Sequence, residues 1–294
     1  MVASAQRLPS VPARLRRPDG VRLAVEARGH GRPVLFAHGF GQTRQAWGGS
    51  AAAVAALGYR AITVDGRGHG ASDWNRPGHA YAMEQFIDDL DAVAAAAGTP
   101  PVLVGASMGG LLGLMLQARR PAFAALVLVD ITPRWESDGV GRILSFMGAH
   151  PQGFADFDEA AAAIASYLPH RRRRKSPEAL RALLVRGDDG RLRWHWDPRM
   201  LDEVARDSER HQDDLVAAAR RIDVPTLLVS GGRSDLVSAH TVAEFLDLVP
   251  HARHVRIDDA THMVVGDRND LFTDAILAFL ADAAPAAAVS GASP

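Results

Sequence analysis

Val102-Leu103-Val104-Gly105-Ala106-Ser107-Met108-Gly109-Gly110-Leu111-Leu112-Gly113 is the stretch that decides the fold. Three strand-forming apolar residues run into Gly-Ala-Ser-Met-Gly, and an apolar helical pattern begins at once at Met108. A chain that passes from strand to helix in so few residues must turn sharply at the central one. The positions two before and two after it must then be small, which Gly105 and Gly109 satisfy. Such a turn pushes the central side chain out at the carboxyl end of the strand, over the first turn of a helix. Ser107 is therefore the candidate nucleophile.

Outward from this elbow, short apolar runs alternate with helical patterns. Strands are expected at 21–27, 33–37, 60–65, 102–105, 125–130, 226–230 and 253–258. Helices are expected between them at 45–57, 83–97, 108–119, 239–248 and 271–281. Leu126-Val127-Leu128-Val129 and Leu227-Leu228-Val229 are unbroken apolar runs, the pattern of parallel strands covered on both faces. The looser alternation over 21–27 suggests an antiparallel edge strand. Together these predict an α/β sandwich. From 132 to 223 the alternation stops, and amphipathic helices are expected at 139–147, 157–168, 177–186, 198–206 and 212–220. The expected organisation is an N-terminal extension at 1–20 and a core domain formed by 21–131 and 224–282. A helical cap occupies 132–223 and a disordered tail 283–294.

A serine hydroxyl needs a general base, and the base needs an orienting group. His262 follows the last strand, in Asp258-Asp259-Ala260-Thr261-His262, and is the candidate base. Two carboxylates follow earlier strands. Asp235, in Ser230-Gly231-Gly232-Arg233-Ser234-Asp235, is the expected acid because it follows the next-to-last strand; Asp130 is the alternative. Acyl transfer also needs donors for a developing oxyanion. The backbone N–H of Phe40, in the His38-Gly39-Phe40-Gly41 turn, and that of Met108 are the candidates. His38 reads as a structural residue that holds its turn. Asp65-Gly66-Arg67-Gly68-His69-Gly70-Ala71-Ser72 lacks the spacing of a dinucleotide loop and reads as scaffold, with Asp73 and Trp74 placed toward the substrate.

Composition narrows the field further. The chain has 294 residues, 33 basic and 34 acidic, a net charge of −1 and no cysteine. Disulfides, thiolate metal sites and a cysteine nucleophile are excluded. The near-neutral balance gives no bulk field for nucleic acid or an anionic membrane, and no apolar run reaches the ~18 residues of a spanning helix. The basic run Arg171-Arg172-Arg173-Arg174-Lys175 reads as a solvated loop. No metal ligand set stands out, since His251 and His254 would point apart on a strand. Arg7, Arg14, Arg16 and Arg17 have no apolar stretch behind them, which argues against a secretory signal and for the cytoplasm.

Taken together, the His-Gly turn, the Gly66–Ser72 loop, the Ser107 elbow, an acid and a late histidine resemble the α/β-hydrolase superfamily. Within it, the wording is similar to capped bacterial serine carboxylesterases. The resemblance implies a mostly parallel eight-stranded sheet flanked by helices, with a helical cap inserted after strand six. It implies a Ser107, His262, Asp235 triad, no cofactor, and a small to medium ester as substrate. Within the superfamily a C–C bond hydrolase, lactonase, thioesterase or cofactor-free perhydrolase shares the same residues; a non-catalytic ligand-binding protein is the alternative from outside catalysis. The C–C hydrolases carry Asn where this chain has Ala106. Trp135, Phe146, Trp194 and Trp196 lie in the expected cap and are the candidate pocket residues, while His195 reads as a buried, hydrogen-bonded histidine.

Overall fold

The computed structural model describes residues 13–167, 180–181, 183–202, 211–262 and 269–286. The 171–175 basic run lies outside the described residues. Eight strands form one sheet: β1 (Ala13–Arg16), β2 (Arg22–Gly29), β3 (Pro33–Ala37), β4 (Arg60–Val64), β5 (Val102–Ala106), β6 (Ala125–Val129), β9 (Thr226–Arg233) and β10 (Arg253–Thr261). A separate hairpin is made by β7 (Leu184–Arg186) and β8 (Leu192–Trp194). The helices are α1 (Gly48–Ala56), α2 (Met83–Ala96), α3 (Met108–Arg119), α4 (Ser137–Gly148), α5 (Phe157–Tyr167), α6 (Gln212–Ala219), α7 (Ala239–Leu248) and α8 (Thr273–Ala283).

The sheet order is β1-β2-β4-β3-β5-β6-β9-β10. From β4 through β10 the neighbours are parallel; β2 is antiparallel to both β1 and β4. Every residue of β3, β5 and β6 is buried. Their side chains alternate between two apolar layers. Leu35, Leu103, Leu126 and Leu128 join α2, α3 and α7 on one face. Val34, Phe36, Val104 and Val127 join α1 and α8 on the other. Two-sided burial is why these strands read as continuous apolar runs rather than alternating ones.

The strand order reverses between β3 and β5, since the chain moves outward from β3 to β4 and then returns to the far side of β3. In open α/β sheets ligands bind at such a switch point, outside the carboxyl ends of the strands. The loops after β3 and β5 meet there, and these carry Phe40 and Ser107.

Three expectations need correction, the first being the tail expected from 283: Ala283 ends α8 and Ala284 is buried in the core. Residues 13–16, assigned to an N-terminal extension, form β1, so 21–27 lies inside the sheet rather than at its edge. Leu15 is buried while Arg14 and Arg16 are not. Four residues are too few for an alternating pattern to stand out. The segment between β6 and β9 is not purely helical: 184–186, expected within a helix, pairs with 192–194 through the turn at 187–191. This segment packs a core of its own around Phe146, Phe154, Trp194 and Trp196.

Candidate active site

Ser107 caps α3 with φ 45° and ψ −118°, a backbone conformation that side chains other than glycine rarely adopt. The strain is held by its surroundings. The Ser107 N–H donates to Val129 O at 3.0 Å, extending the β5–β6 ladder through the turn. A Cβ on Gly105 would meet Gly110 N at 2.6 Å, and one on Gly109 would meet Ala37 O at 2.6 Å. Nothing larger than hydrogen fits at either site. Left-handed strain of this kind costs ~1–3 kcal/mol. Ser107→Gly is therefore expected to raise the melting temperature by roughly 2–4 °C, about 1 kcal/mol net of glycine's larger unfolded-state entropy. Ser107→Ala retains a Cβ and the strain, and is not expected to do so. Differential scanning calorimetry of the two variants checks this.

His262 and Asp130 are brought together. His262 Nδ1 lies 2.8 Å from Asp130 Oδ2, with both side chains buried. Asp130 itself has φ 53° at the end of β6, a region that Asp tolerates better than most residues. Its Oδ1 accepts Gly231 N–H at 2.8 Å and its Oδ2 accepts the Ser234 hydroxyl at 2.8 Å. Ser234 Oγ already receives the N–H groups of Leu236 and Val237, so its proton goes to Asp130. The carboxylate is thus an acceptor. His262 Nδ1 donates to it, and Nε2 is left with the lone pair that a general base needs. No hydrogen bond joins Ser107 Oγ to His262 among the described residues; such contacts commonly tighten only when substrate binds.

The expected acid, Asp235, is corrected by this geometry. Its carboxylate takes Arg142 at 2.7 Å and lines an open basin. It stands one residue beyond Ser234, whose side chain turns back to Asp130. Both carboxylates follow strands at the same rim, and position along the chain could not separate them.

The turn after β3 lies against the elbow: a Cβ on Gly39 would sit 3.2 Å from Ser107 Cβ. Met108 is the first residue of α3, where a backbone N–H has no intrahelical acceptor. Histidines fix the turn that carries Phe40. His38 Nδ1 donates to Gly39 O at 2.8 Å, and its Nε2 accepts Gly66 N–H at 2.9 Å. In return, His69 Nε2 accepts Gly41 N–H at 3.1 Å while its Nδ1 donates to Arg67 O at 3.1 Å. His195, beyond β8, accepts Gly70 N–H on Nδ1 at 3.2 Å. The 38–42 and 65–72 loops are thus cross-stitched and tied to the inserted segment. This agrees with the structural reading of His38 and the buried reading of His195; the stitching role of His69 was not legible in the sequence. Asp73, placed toward the substrate by its sequence position, instead pairs with Arg22 and Arg14 at the sheet edge.

Each stitch uses a ring nitrogen lone pair, so the neutral form is the one that holds the loops. Burial, above all, lowers the pKa of His38, pushes that of His69 far down, and brings that of His195 to about 4. The unfolded chain therefore binds protons that the fold does not. Stability is full above the ordinary histidine value of about 6.5 and falls as pH drops from there toward 4, by up to about 1.4 kcal/mol per pH unit for each such histidine. Thermal melts between pH 7 and pH 4 are expected to show this decline, and His195→Gln is expected to make it shallower.

Two hollows flank α4. The first, of about 150 Å³, is lined by Ser107 with Phe86, Leu111, Trp135, Ile143 and Met200. The second is an open basin lined by His262, Arg142, Arg233, Asp235 and Tyr167. Of the four candidate pocket residues, Trp135 lines the first and Phe146 the second. Trp194 and Trp196 are buried in the inserted segment's core, where Trp196 reaches the Phe40 ring at 5.1 Å. Among the described residues no cluster of His, Asp or Glu is arranged to hold a metal. None of their helices is long and apolar enough to cross a membrane.

The family model described as alpha/beta hydrolase fold matches residues 32–268. The chain is 30% identical over 249 residues to a 3-hydroxybutyrate-oligomer hydrolase of Cupriavidus necator, covering 79% of this chain and 82% of that protein. It is 30% identical over 267 residues to an sn-1-specific diacylglycerol lipase of Mus musculus, covering 84% and 80%. The crystal structure of E-2-(acetamidomethylene)succinate hydrolase superposes with a TM-score of 0.76 at 26% identity, covering 92% of this chain and 99% of that one.

Proposed function

The chain belongs to the α/β-hydrolase fold family, and within it we propose a serine hydrolase that cleaves carboxylic esters of small molecules through an acyl-enzyme. The observation that carries this reading is the pairing of a strained, outward-turned Ser107 with a buried Asp130–His262 hydrogen bond of 2.8 Å at the same sheet rim. Relatives named as a lipase and an oligomer hydrolase support the ester class.

In this mechanism His262 Nε2 takes the proton of Ser107 Oγ as Oγ bonds to the ester carbonyl carbon. The carbonyl electron pair moves to oxygen, where the N–H groups of Phe40 and Met108 receive it. Loss of one such donor typically lowers turnover by ~10²–10³. The tetrahedral species collapses by breaking the bond to the alcohol oxygen, which takes the proton from His262. Water then repeats the sequence on the acyl-enzyme and regenerates Ser107. Asp130 holds the imidazole tautomer and stabilises the transient cation. The segment between β6 and β9 acts as the cap over Ser107. Side chains and backbone N–H groups supply every step.

Hydrolysis of chromogenic acyl esters of increasing chain length tests the proposal. Turnover of short to medium esters is the expected result. A folded protein that turns over a lactone, thioester or C–C substrate but no ester would move the assignment within the family.

A further inference from the structure

α4 has two unlike faces. Val140, Ile143 and Leu144, spaced i, i+3, i+4, line the cavity that contains Ser107. Asp138, Gly141, Arg142 and Ser145 occupy the opposite face and line the basin that contains His262. The nucleophile and the base therefore open into different hollows on either side of one helix.

The chemistry assigns the two halves of the substrate to these hollows. The acyl half stays bonded to Ser107 through the intermediate, so it occupies the Ser107 cavity. The departing oxygen takes its proton from His262, so the alcohol half leaves on the His262 side. Apart from Ser107, Tyr81 and His211, whose Nδ1 lies 3.3 Å from Asp214, the side chains that wall the acyl cavity are apolar. The one phenol at its edge, Tyr81, already donates to Asp197 at 2.8 Å and accepts Asn75 N–H at 3.0 Å. At about 150 Å³ the cavity is of the size that admits benzene, about six carbon atoms.

The basin is the reverse. Two ion pairs lie within its walls, Arg142 with Asp235 at 2.7 Å and Arg233 with Asp259 at 2.9 Å, and Asp138 adds a further carboxylate. Ser145, Ser166 and Thr261 add hydroxyls. Burial, with Asp235 beside it, pushes the Tyr167 phenol up to about 12, so it remains an O–H donor. These walls offer donors and acceptors, with both arginines already engaged by carboxylates. An anionic guest would have to compete with an existing ion pair and would face Asp138, whereas a hydroxylated guest without negative charge does not.

We propose that α4 divides the substrate at the scissile bond, with an apolar acyl group of about six carbons in the Ser107 cavity and a hydroxylated alcohol without negative charge in the basin beside His262. This rests on the serine-esterase reading and adds the substrate class to it.

The test compares glyceryl monohexanoate with its inverse, hexyl glycerate, in the wild-type protein. Each hydroxyl forced unpartnered into an apolar cavity costs roughly 10- to 100-fold, so the glyceryl ester is expected to lead in kcat/KM by about 100-fold or more. Two variants then address the two hollows separately. Gly141 has nothing within 4 Å of a built Cβ, so Gly141→Phe fills the basin without a backbone clash. It is expected to lower the ratio of glyceryl to methyl hexanoate about tenfold. Leu144→Phe is expected instead to lower the ratio of methyl hexanoate to methyl acetate by about as much. Should a variant fail to fold, the wild-type pair of inverse esters still decides. Equal rates on the two esters, a lead for hexyl glycerate, or an acyl-chain effect from Gly141→Phe would overturn the division. Rates that persist in Ser107→Ala, or no ester turnover at all, would overturn the serine-esterase reading, and with it the division.

Discussion

Replacing Ser107 by alanine is expected to lower kcat for ester hydrolysis by about 10⁵- to 10⁶-fold, with the fold intact. The magnitude follows from the role proposed for the residue. Without Oγ no acyl-enzyme forms, and the remaining acceleration over water comes only from oxyanion donors and substrate binding. Alanine leaves the packing of the elbow in place, because Gly105, Gly109 and the Val129 contact are untouched. KM is expected to change far less than kcat, since both hollows beside α4 persist. Single-turnover measurements with a chromogenic ester, alongside a thermal melt, separate lost chemistry from lost structure.

Asp130→Asn is expected to lower kcat by about 10⁴-fold, whereas Asp235→Asn changes it by no more than a few-fold. Asparagine keeps the shape of the side chain and tolerates the left-handed backbone at φ 53°. Its amide nitrogen, however, presents a donor where the carboxylate accepted. Whichever way the amide turns, one of its oxygens' former partners among Gly231 N–H, Ser234 Oγ–H and His262 Nδ1–H loses its acceptor. The imidazole is then free to take the wrong tautomer, with its proton on Nε2. Asp235 holds only Arg142 at the basin wall, and an exposed pair of this kind contributes ~0–1 kcal/mol. Equal losses in the two variants would break the assignment of the acid.

The central sheet and the elbow were legible because burial on both faces leaves a plain mark: β3, β5 and β6 are runs of apolar residues. The Ser107 turn was legible because a strand that passes into a helix within so few residues leaves room only for small residues on either side, such as Gly105, whose limiting contacts are Gly109 and Gly110. The acid was not. Asp130 and Asp235 both follow strands, and what separates them is Ser234, which donates to Asp130 across 104 positions of sequence. β1 and the β7–β8 hairpin escaped notice because strands of three or four residues carry too few side chains to show a period. Aromatic content marked the inserted segment, yet it did not distinguish Trp135, which faces the Ser107 cavity, from Trp194 and Trp196, which fill the segment's own core. The partners of the histidine stitches were hidden likewise, since each joins a ring nitrogen to a glycine N–H on another loop.

Covalent labelling tests the central claim most directly. The protein is treated with a fluorophosphonate, digested and mapped by mass spectrometry. One adduct per chain is expected, on Ser107, with ester hydrolysis lost in step with labelling and neither event occurring in Ser107→Ala. An adduct on another residue that abolishes activity, or full turnover by a protein already labelled at Ser107, would contradict the account.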